Sequence, residues 1–84
     1  MTGFPEADKT IDTFGLLCPM PIIKCGEAIR KMKNGESLKI IATDPGAIAD
    51  LKTWCKANRN TYIGDETVGR VISIWIRKGL IDGL

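Results

Sequence analysis

The spacing of apolar residues constrains the fold of this chain more than any other feature. Two stretches, from Pro19 to about Lys33 and from Asp44 to about Ala57, repeat apolar residues every three or four positions, which places them on one face of a helix. These positions are Ile22, Cys25, Ile29 and Met32 in the first stretch, and Ala47, Ile48, Leu51, Trp54 and Cys55 in the second. The sequence therefore predicts two amphipathic helices.

Local signals set the ends of these helices. Asn34-Gly35 predicts the end of the first helix, because both residues tolerate the left-handed conformation that closes helices. Asp44-Pro45 predicts the start of the second, with the Asp44 carboxylate as N-cap and proline at the first helical position.

Four β-prone runs accompany the helices. They cover Thr10 to Phe14, Leu38 to Thr43, Thr61 to Val68 and Arg70 to Lys78. The last two runs meet at Gly69 and predict an antiparallel hairpin. In the final run, apolar residues alternate between faces, with Ile72, Ile74 and Ile76 on one face and Val71, Ser73 and Trp75 on the other.

The predicted order of elements is β-α-β-α-β-β in a chain of 84 residues. That length suits one small domain over residues 10–84, after a loose polar tail over residues 1–9. Two helices are too few to cover both faces of a four-stranded sheet, so we expect both on one face, in a two-layer α/β (α+β) sandwich. A right-handed first crossover makes the first two strands parallel and the sheet mixed. The expected core contains Ile22, Ile29, Leu51, Ile72 and Ile74.

Composition excludes several classes of function. The net charge is +2 and basic runs are short, so direct binding of nucleic acid is not expected. Arg30, Lys31 and Lys33 crowd a helix end, where they complement the helix dipole. With three cysteines and no histidine, the chain lacks the four ligands of a structural zinc site, and we expect neither metal nor cofactor.

The N-terminal residues lack the basic region and apolar core of a secretory signal. The longest apolar stretch, from Phe14 to Ile23, is interrupted by glycine and proline and is too short to span a bilayer. An odd number of cysteines does not indicate a disulfide framework. These features predict a cytoplasmic protein without a membrane anchor.

Cys18 stands directly ahead of the first predicted helix. With Pro19 as the first helical residue, Cys18 is the N-cap, where free backbone N–H groups and the helix dipole lower a thiol pKa. Pro19 and Pro21 stiffen this turn but remove hydrogen-bond donors. The absence of histidine excludes a Cys–His pair, so we expect a thiol that exchanges sulfur with another protein. The alternative interpretation is a small buried hydrophobic residue.

The other two cysteines fall on the apolar helix faces and are predicted to lie in the core. Cys25 is two helical turns from Cys18, about 10 Å along the axis, which is too far for a disulfide. A redox pair between Cys18 and Cys55 stays open from the sequence.

Three segments, IDTFGLLCPMPIIKCGEAIRKM, NGESLKIIATDPGAIADLKTWCK and VISIWIRKG, resemble the TusA (SirA-like) sulfur-carrier family almost end to end. The most specific element is Cys18-Pro19-Met20-Pro21, which matches the Cys-Pro-x-Pro signature of that family after the first strand. Asp12, Gly15, Asp44-Pro45 and Trp54-Cys55 also fit the family pattern. The order of elements agrees with the family's two-layer βαβαββ fold.

The resemblance implies that Cys18 carries sulfur as a persulfide, supported by Gly15, Pro19, Met20, Pro21 and Asp44. It implies a cysteine desulfurase or a rhodanese-like protein as donor and a further protein as acceptor. Family members serve tRNA thiolation, molybdenum-cofactor maturation and oxidative sulfur metabolism. Such a carrier acts with partner proteins and is not a stand-alone turnover enzyme.

A function of another class is a non-catalytic regulatory module that binds a protein or nucleic acid through its sheet. Its contact patch would be the uncovered sheet face, formed by Ile41, Val71, Ser73 and Trp75.

Overall fold

A computed structural model describes residues 6–79 of the chain. Its elements are β1 (Lys9–Thr13), α1 (Met20–Arg30), β2 (Ser37–Ala42), α2 (Ala47–Ala57), β3 (Thr61–Val68) and β4 (Val71–Arg77). The predicted order is confirmed, although both helices begin later than expected. Residues 1–5 of the predicted tail (residues 1–9) lie outside the described residues. Lys9, the last residue of that predicted tail, belongs to β1. The last five residues of the predicted domain also lie outside them.

The four strands form one sheet in the order β1-β2-β4-β3. β1 and β2 are parallel, with Ile11 opposite Ile40, whereas β4 runs antiparallel to both β2 and β3. This arrangement confirms the mixed sheet and the C-terminal hairpin. The hairpin closes at a pair of valines, Val68 and Val71, and its turn contains Gly69 at φ +61°, a conformation that glycine adopts without a Cβ clash.

Both helices pack on one face of the sheet and share a single core. Buried side chains of α1 and α2 meet the inward-facing residues of β2 and β4, among which Leu38, Ile40, Ile74 and Ile76 are fully buried. The predicted core is confirmed for Ile29, Leu51, Ile72 and Ile74, while Ile22 packs against it and stays partly exposed. Alternation along β4 has the predicted register, since Ile72 is buried and Val71 is exposed.

The opposite sheet face differs from the prediction at Trp75. We expected this residue to be exposed as part of a contact patch, but only 3% of its surface is accessible. Trp75 lies on β4, an inner strand, opposite Lys39 of β2, whose Nζ lies 5.3 Å from the centre of the indole ring. The Lys39 side chain therefore covers part of the indole ring through a cation–π contact. The prediction that Trp75 is exposed in the patch with Ile41, Val71 and Ser73 was therefore wrong, whereas Val71 is exposed.

α1 and α2 each have 11 residues. Within residues 6–79, no helix is long and apolar enough to cross a membrane.

Candidate functional site

The segment between β1 and α1, residues 14–19, is the Cys18 turn, and hydrogen bonds to the end of β2 hold its first half. Thr13, fully buried at the end of β1, donates from Oγ1 to the carbonyl of Ile41 at 2.7 Å. The Gly15 N–H donates to Thr43 Oγ1 at 2.9 Å. Gly15 has φ +80°, which favours glycine at this position. The parallel pairing of β1 with β2 thus fixes where the turn begins.

A further hydrogen bond restrains the start of the Cys18 turn. The side chain of Asp12 accepts a hydrogen bond from the Phe14 N–H at 2.8 Å, which is an Asx turn. Asp12 and Gly15, which match the family pattern, therefore both shape the backbone ahead of Cys18.

Helix α1 begins one residue later than the sequence predicted. Pro19 is the N-cap and Met20 the first helical residue; Pro21 is buried in the first turn. The Met20 N–H donates to the carbonyl of Leu17 at 2.9 Å, so residues 17–20 form a turn ahead of the helix. Cys18 consequently lies outside the helix, joined to Pro19 by a cis peptide bond, and the N-cap makes no side-chain hydrogen bond. The prediction of Cys18 as N-cap was wrong.

Asp44 connects the Cys18 turn to the segment that precedes α2. Its Oδ2 accepts a hydrogen bond from the Cys18 N–H at 3.0 Å, and its Oδ1 accepts one from the Gly46 N–H at 3.1 Å. We predicted Asp44 as the N-cap of α2, but the helix begins at Ala47 with Gly46 as N-cap. The Asp44 carboxylate forms an Asx turn there, which takes the place of the predicted cap.

A second carboxylate, that of Asp50 in the first turn of α2, also affects the pKa of Cys18. Cys18 is exposed, and a hydrogen bond between its side chain and Asp50 is the main cause of a raised thiol pKa. Desolvation and the negative charges of Asp50 and Asp44 raise the pKa further. The sequence predicted a lowered pKa. That prediction was wrong, because the helix dipole was assigned to a residue outside the helix and two anions face the thiol instead.

Both carboxylates stand beside Gly46. A Cβ atom at Gly46 would lie 3.6 Å from Asp44 Oδ1 and 3.8 Å from Asp50 Oδ2. The sequence interpretation missed Asp50, yet a signal existed. The carboxyl ends of parallel strands meet at one edge of a sheet, so the residues after β2 had to lie close to those after β1.

Apolar side chains surround Cys18 along the chain. Phe14, Leu17 and Ile23 are 62%, 70% and 45% exposed, which is unusual for large apolar residues. Beside the turn lies a groove of about 530 Å³, to which Gly15 and Leu17 contribute together with Pro45, Arg70 and Ile72. Exposed apolar groups next to a groove are typical of surfaces that contact other proteins.

The other cysteines lie in the core, as predicted. Cys25 and Cys55 have 0% and 1% of their surface exposed, and neither they nor Cys18 form a disulfide. Burial raises the pKa of both core thiols to about 12, and for Cys25 the neighbouring Cys55 contributes as well. Cys18 is therefore the one cysteine that meets solvent.

A second cavity lies away from the Cys18 turn. A cavity of about 410 Å³ at the C-terminal ends of the helices is lined by Arg30, Trp54, Arg59 and Lys78 among others, and by no cysteine. Trp54 thus lies away from the Cys18 turn. Within residues 6–79, no group of three or more His, Cys, Asp or Glu side chains is placed to hold a metal ion.

Comparison with known proteins gives a consistent picture. A family model described as "Sulfurtransferase TusA" matches residues 9–78. The chain is 36% identical over 74 residues to "Putative sulfur carrier protein YrkI" of Bacillus subtilis. This match covers 88% of this chain and 99% of that protein. It is 42% identical over 74 residues to "Putative sulfur carrier protein YrkF" of the same organism, again over 88% of this chain.

Some relatives are longer. The chain spans 40% of YrkF, and 37% of a "Putative sulfur carrier protein" of Aquifex aeolicus, to which it is 38% identical over 73 residues and 87% of its own length. Among solved structures, a SirA-like protein from Desulfitobacterium hafniense has the same fold. Its TM-score is 0.68 at 23% identity, with 84% of this chain and 97% of that chain covered.

Proposed function

This chain belongs to the TusA family, and we propose that it is a sulfur carrier whose Cys18 holds sulfane sulfur as a persulfide. The observation that carries this proposal is the contrast between one exposed cysteine in the Cys-Pro-Met-Pro turn and two that are buried. A sulfur atom that passes between proteins must be reachable by a second thiol, and Cys18 alone meets that requirement.

The transfer exchanges one sulfur–sulfur bond for another. The Cys18 sulfur attacks the outer sulfur of a donor persulfide and forms a bond to it, while the donor's own S–S bond breaks and its inner sulfur leaves as a thiolate. Delivery repeats the same step, with an acceptor thiol attacking the outer sulfur on Cys18. No external oxidant or reductant enters, and each cycle moves one sulfur atom.

The backbone around Cys18 supports such an exchange by holding the sulfur at a defined place. The Asp44 carboxylate fixes the Cys18 N–H, and Gly15 is held by Thr43. Pro19 and Pro21 restrict φ on either side of Met20. These contacts restrain the turn, so less freedom is lost when a partner aligns its sulfur with Cys18.

The partners we propose are a cysteine desulfurase or rhodanese-like donor and a downstream acceptor protein. Support comes from the exposed side chains of Phe14, Leu17 and Ile23 and from the adjoining groove, which offer an apolar surface to both. A small apolar contact suits partners that must dissociate after each transfer. We place this relay in the cytoplasm and assign it to tRNA thiolation or related sulfur metabolism.

Intact mass spectrometry tests the function. With a cysteine desulfurase and cysteine, the wild-type chain should gain the mass of one sulfur atom, and a reducing thiol should remove it. Cys18→Ser should show no gain, because a hydroxyl does not hold sulfane sulfur. Cys25→Ser and Cys55→Ser are matched controls, which should still load despite some loss of stability from a buried hydroxyl. Loading of Cys18→Ser to the wild-type extent would overturn the proposal.

A further inference from the structure

We propose that the cavity at the C-terminal ends of α1 and α2 binds a nucleotide, a small ligand that joins a phosphate group to a planar base. This basic cavity has a volume of about 410 Å³, and Arg30, Arg59 and Lys78 line it. Its volume lies in the range of small-molecule sites. No Asp or Glu is found among the described residues that line it. Since it lies away from the Cys18 turn, the proposal does not depend on the sulfur-carrier function.

The three cations of the basic cavity favour a ligand with negative charge. Arg30 lies in the last turn of α1, and Arg59 follows α2. Both side chains are exposed, and within residues 6–79 neither guanidinium group has a hydrogen bond or an ion pair. Lys78 Nζ donates to the carbonyl of Met32, which holds its charge beside the cavity. Free guanidinium groups match a phosphate group well, because they present paired N–H donors.

The backbone of Arg59 gives a second reason to assign a function to its side chain. Arg59 has φ +57°, and within residues 6–79 it is the one non-glycine residue with positive φ. The Asn60 N–H donates to the carbonyl of Cys55 at 2.9 Å, which closes α2 as in a Schellman motif. Glycine is the usual residue at the Arg59 position, because other side chains are strained there. The helix dipole favours a cation near this end, but it does not require arginine at the strained position.

Asn60 supplies a buried donor to the same cavity. Only 9% of its surface is exposed, and its Oδ1 accepts a hydrogen bond from the Gly79 N–H at 3.0 Å, which fixes the orientation of the amide. Within residues 6–79, Asn60 Nδ2 donates to no group, and no fully buried side-chain nitrogen or oxygen lacks a partner. Nδ2 is therefore accessible from the cavity that Asn60 lines. A fixed amide donor beside cations is a further group that can bind a phosphate oxygen.

Trp54 gives the basic cavity an aromatic surface. Its side chain is partly exposed, and it lies against α1 at Gly26, where a Cβ atom would stand 3.8 Å from Trp54 Cζ2. Aromatic side chains stack on the planar bases of nucleotides. An inorganic anion would contact the cations alone, whereas a nucleotide contacts both the cations and the indole ring. The combination therefore favours a nucleotide.

An NMR titration of the isotope-labelled chain tests this site, with adenosine monophosphate as the probe and with adenosine and inorganic phosphate as comparisons. The chain has two tryptophans, and their indole N–H groups give separate signals. The Trp54 signal should shift, while that of Trp75, which is buried on the other face of the sheet, is an internal control. Adenosine monophosphate should bind at least about tenfold more tightly than either comparison, because it alone offers both a base and a phosphate group.

Arg59→Gly separates a binding role from a structural one. It should weaken the binding of adenosine monophosphate by at least about tenfold, because a charge-assisted hydrogen bond to phosphate is lost. It should also leave Tm unchanged or raise it, because glycine adopts this backbone conformation without strain. Lys24→Gln, which removes an exposed cation of α1 outside the basic cavity, is the matched control and should keep the wild-type affinity. Cys18→Ser should keep it as well.

A shift of the Trp54 signal that saturates, together with weaker binding by Arg59→Gly, supports the site. An unmoved Trp54 signal at millimolar adenosine monophosphate, or an unchanged affinity in Arg59→Gly, overturns it. Equal affinity for adenosine and adenosine monophosphate also overturns it, since the cations would then have no role. Binding of a single-stranded RNA without binding of the mononucleotide would assign the cavity to another class of ligand and overturn the proposal. Sulfur loading is measured separately, so either proposal can fail while the other stands.

Discussion

Replacing Leu51 with alanine tests the packing that places Asp44 and Asp50 beside the Cys18 turn. Leu51 follows Asp50 in α2, and its side chain is fully buried against the sheet. Burial contributes about 0.8 kcal/mol per methylene, so the three carbon atoms removed account for about 2.4 kcal/mol. A cavity that does not collapse adds about 24 cal/mol per Å³. We therefore expect Leu51→Ala to lower the free energy of unfolding by about 2.5–5 kcal/mol.

Equilibrium denaturation in urea measures this loss, and the slope of the transition shows whether the denatured state has changed. For a domain of this size, each kcal/mol corresponds to roughly 4–8 °C in Tm, so a thermal melt gives an independent value. Thr53→Ala, at an exposed position of the same helix, is the matched control and should stay within about 0.5 kcal/mol of the wild type. A loss below about 1 kcal/mol for Leu51→Ala, at an unchanged slope, would refute the packing of α2 on the sheet.

Two further predictions concern the Cys18 turn. In the native protein, iodoacetamide should label Cys18 well before Cys25 or Cys55, and the Cys18 rate should keep rising as the pH passes the ordinary thiol pKa, because the raised pKa delays ionisation. Labelling of all three cysteines only after unfolding would contradict this order. Pro21→Ala should alter the Cys18 pKa and the loading rate without abolishing loading, because it adds an N–H and loosens the turn; complete loss of loading in a folded variant would show that Pro21 has a further role.

The sequence predicted the order of elements because that order depends on apolar periodicity, which is a local property. The faces of β4 followed from the same pattern, since buried Ile72, Ile74 and Ile76 alternate with residues on the other face. Periodicity does not report how much neighbouring strands cover a side chain. Trp75 was therefore assigned to the right face and given the wrong exposure.

The ends of the helices were harder to predict, because several local arrangements compete there. Asp44-Pro45 fits an N-cap followed by a first helical residue, but the Asx turn at Asp44 satisfies the Gly46 N–H and delays the helix to Ala47. Likewise, the turn from Leu17 to Met20 moves the cap from Cys18 to Pro19. A shift of one residue removed the thiol from the helix end on which the predicted pKa depended.

The effect of Asp50 on the pKa of Cys18 could not follow from a local pattern, because the two residues lie 32 positions apart in the chain. Parallel strands β1 and β2 bring the segments that follow them to one edge of the sheet, and the Cys18 turn therefore meets the beginning of α2. Asp50 and Asp44 raise the pKa of the exposed Cys18 thiol, which lowers the fraction present as reactive thiolate.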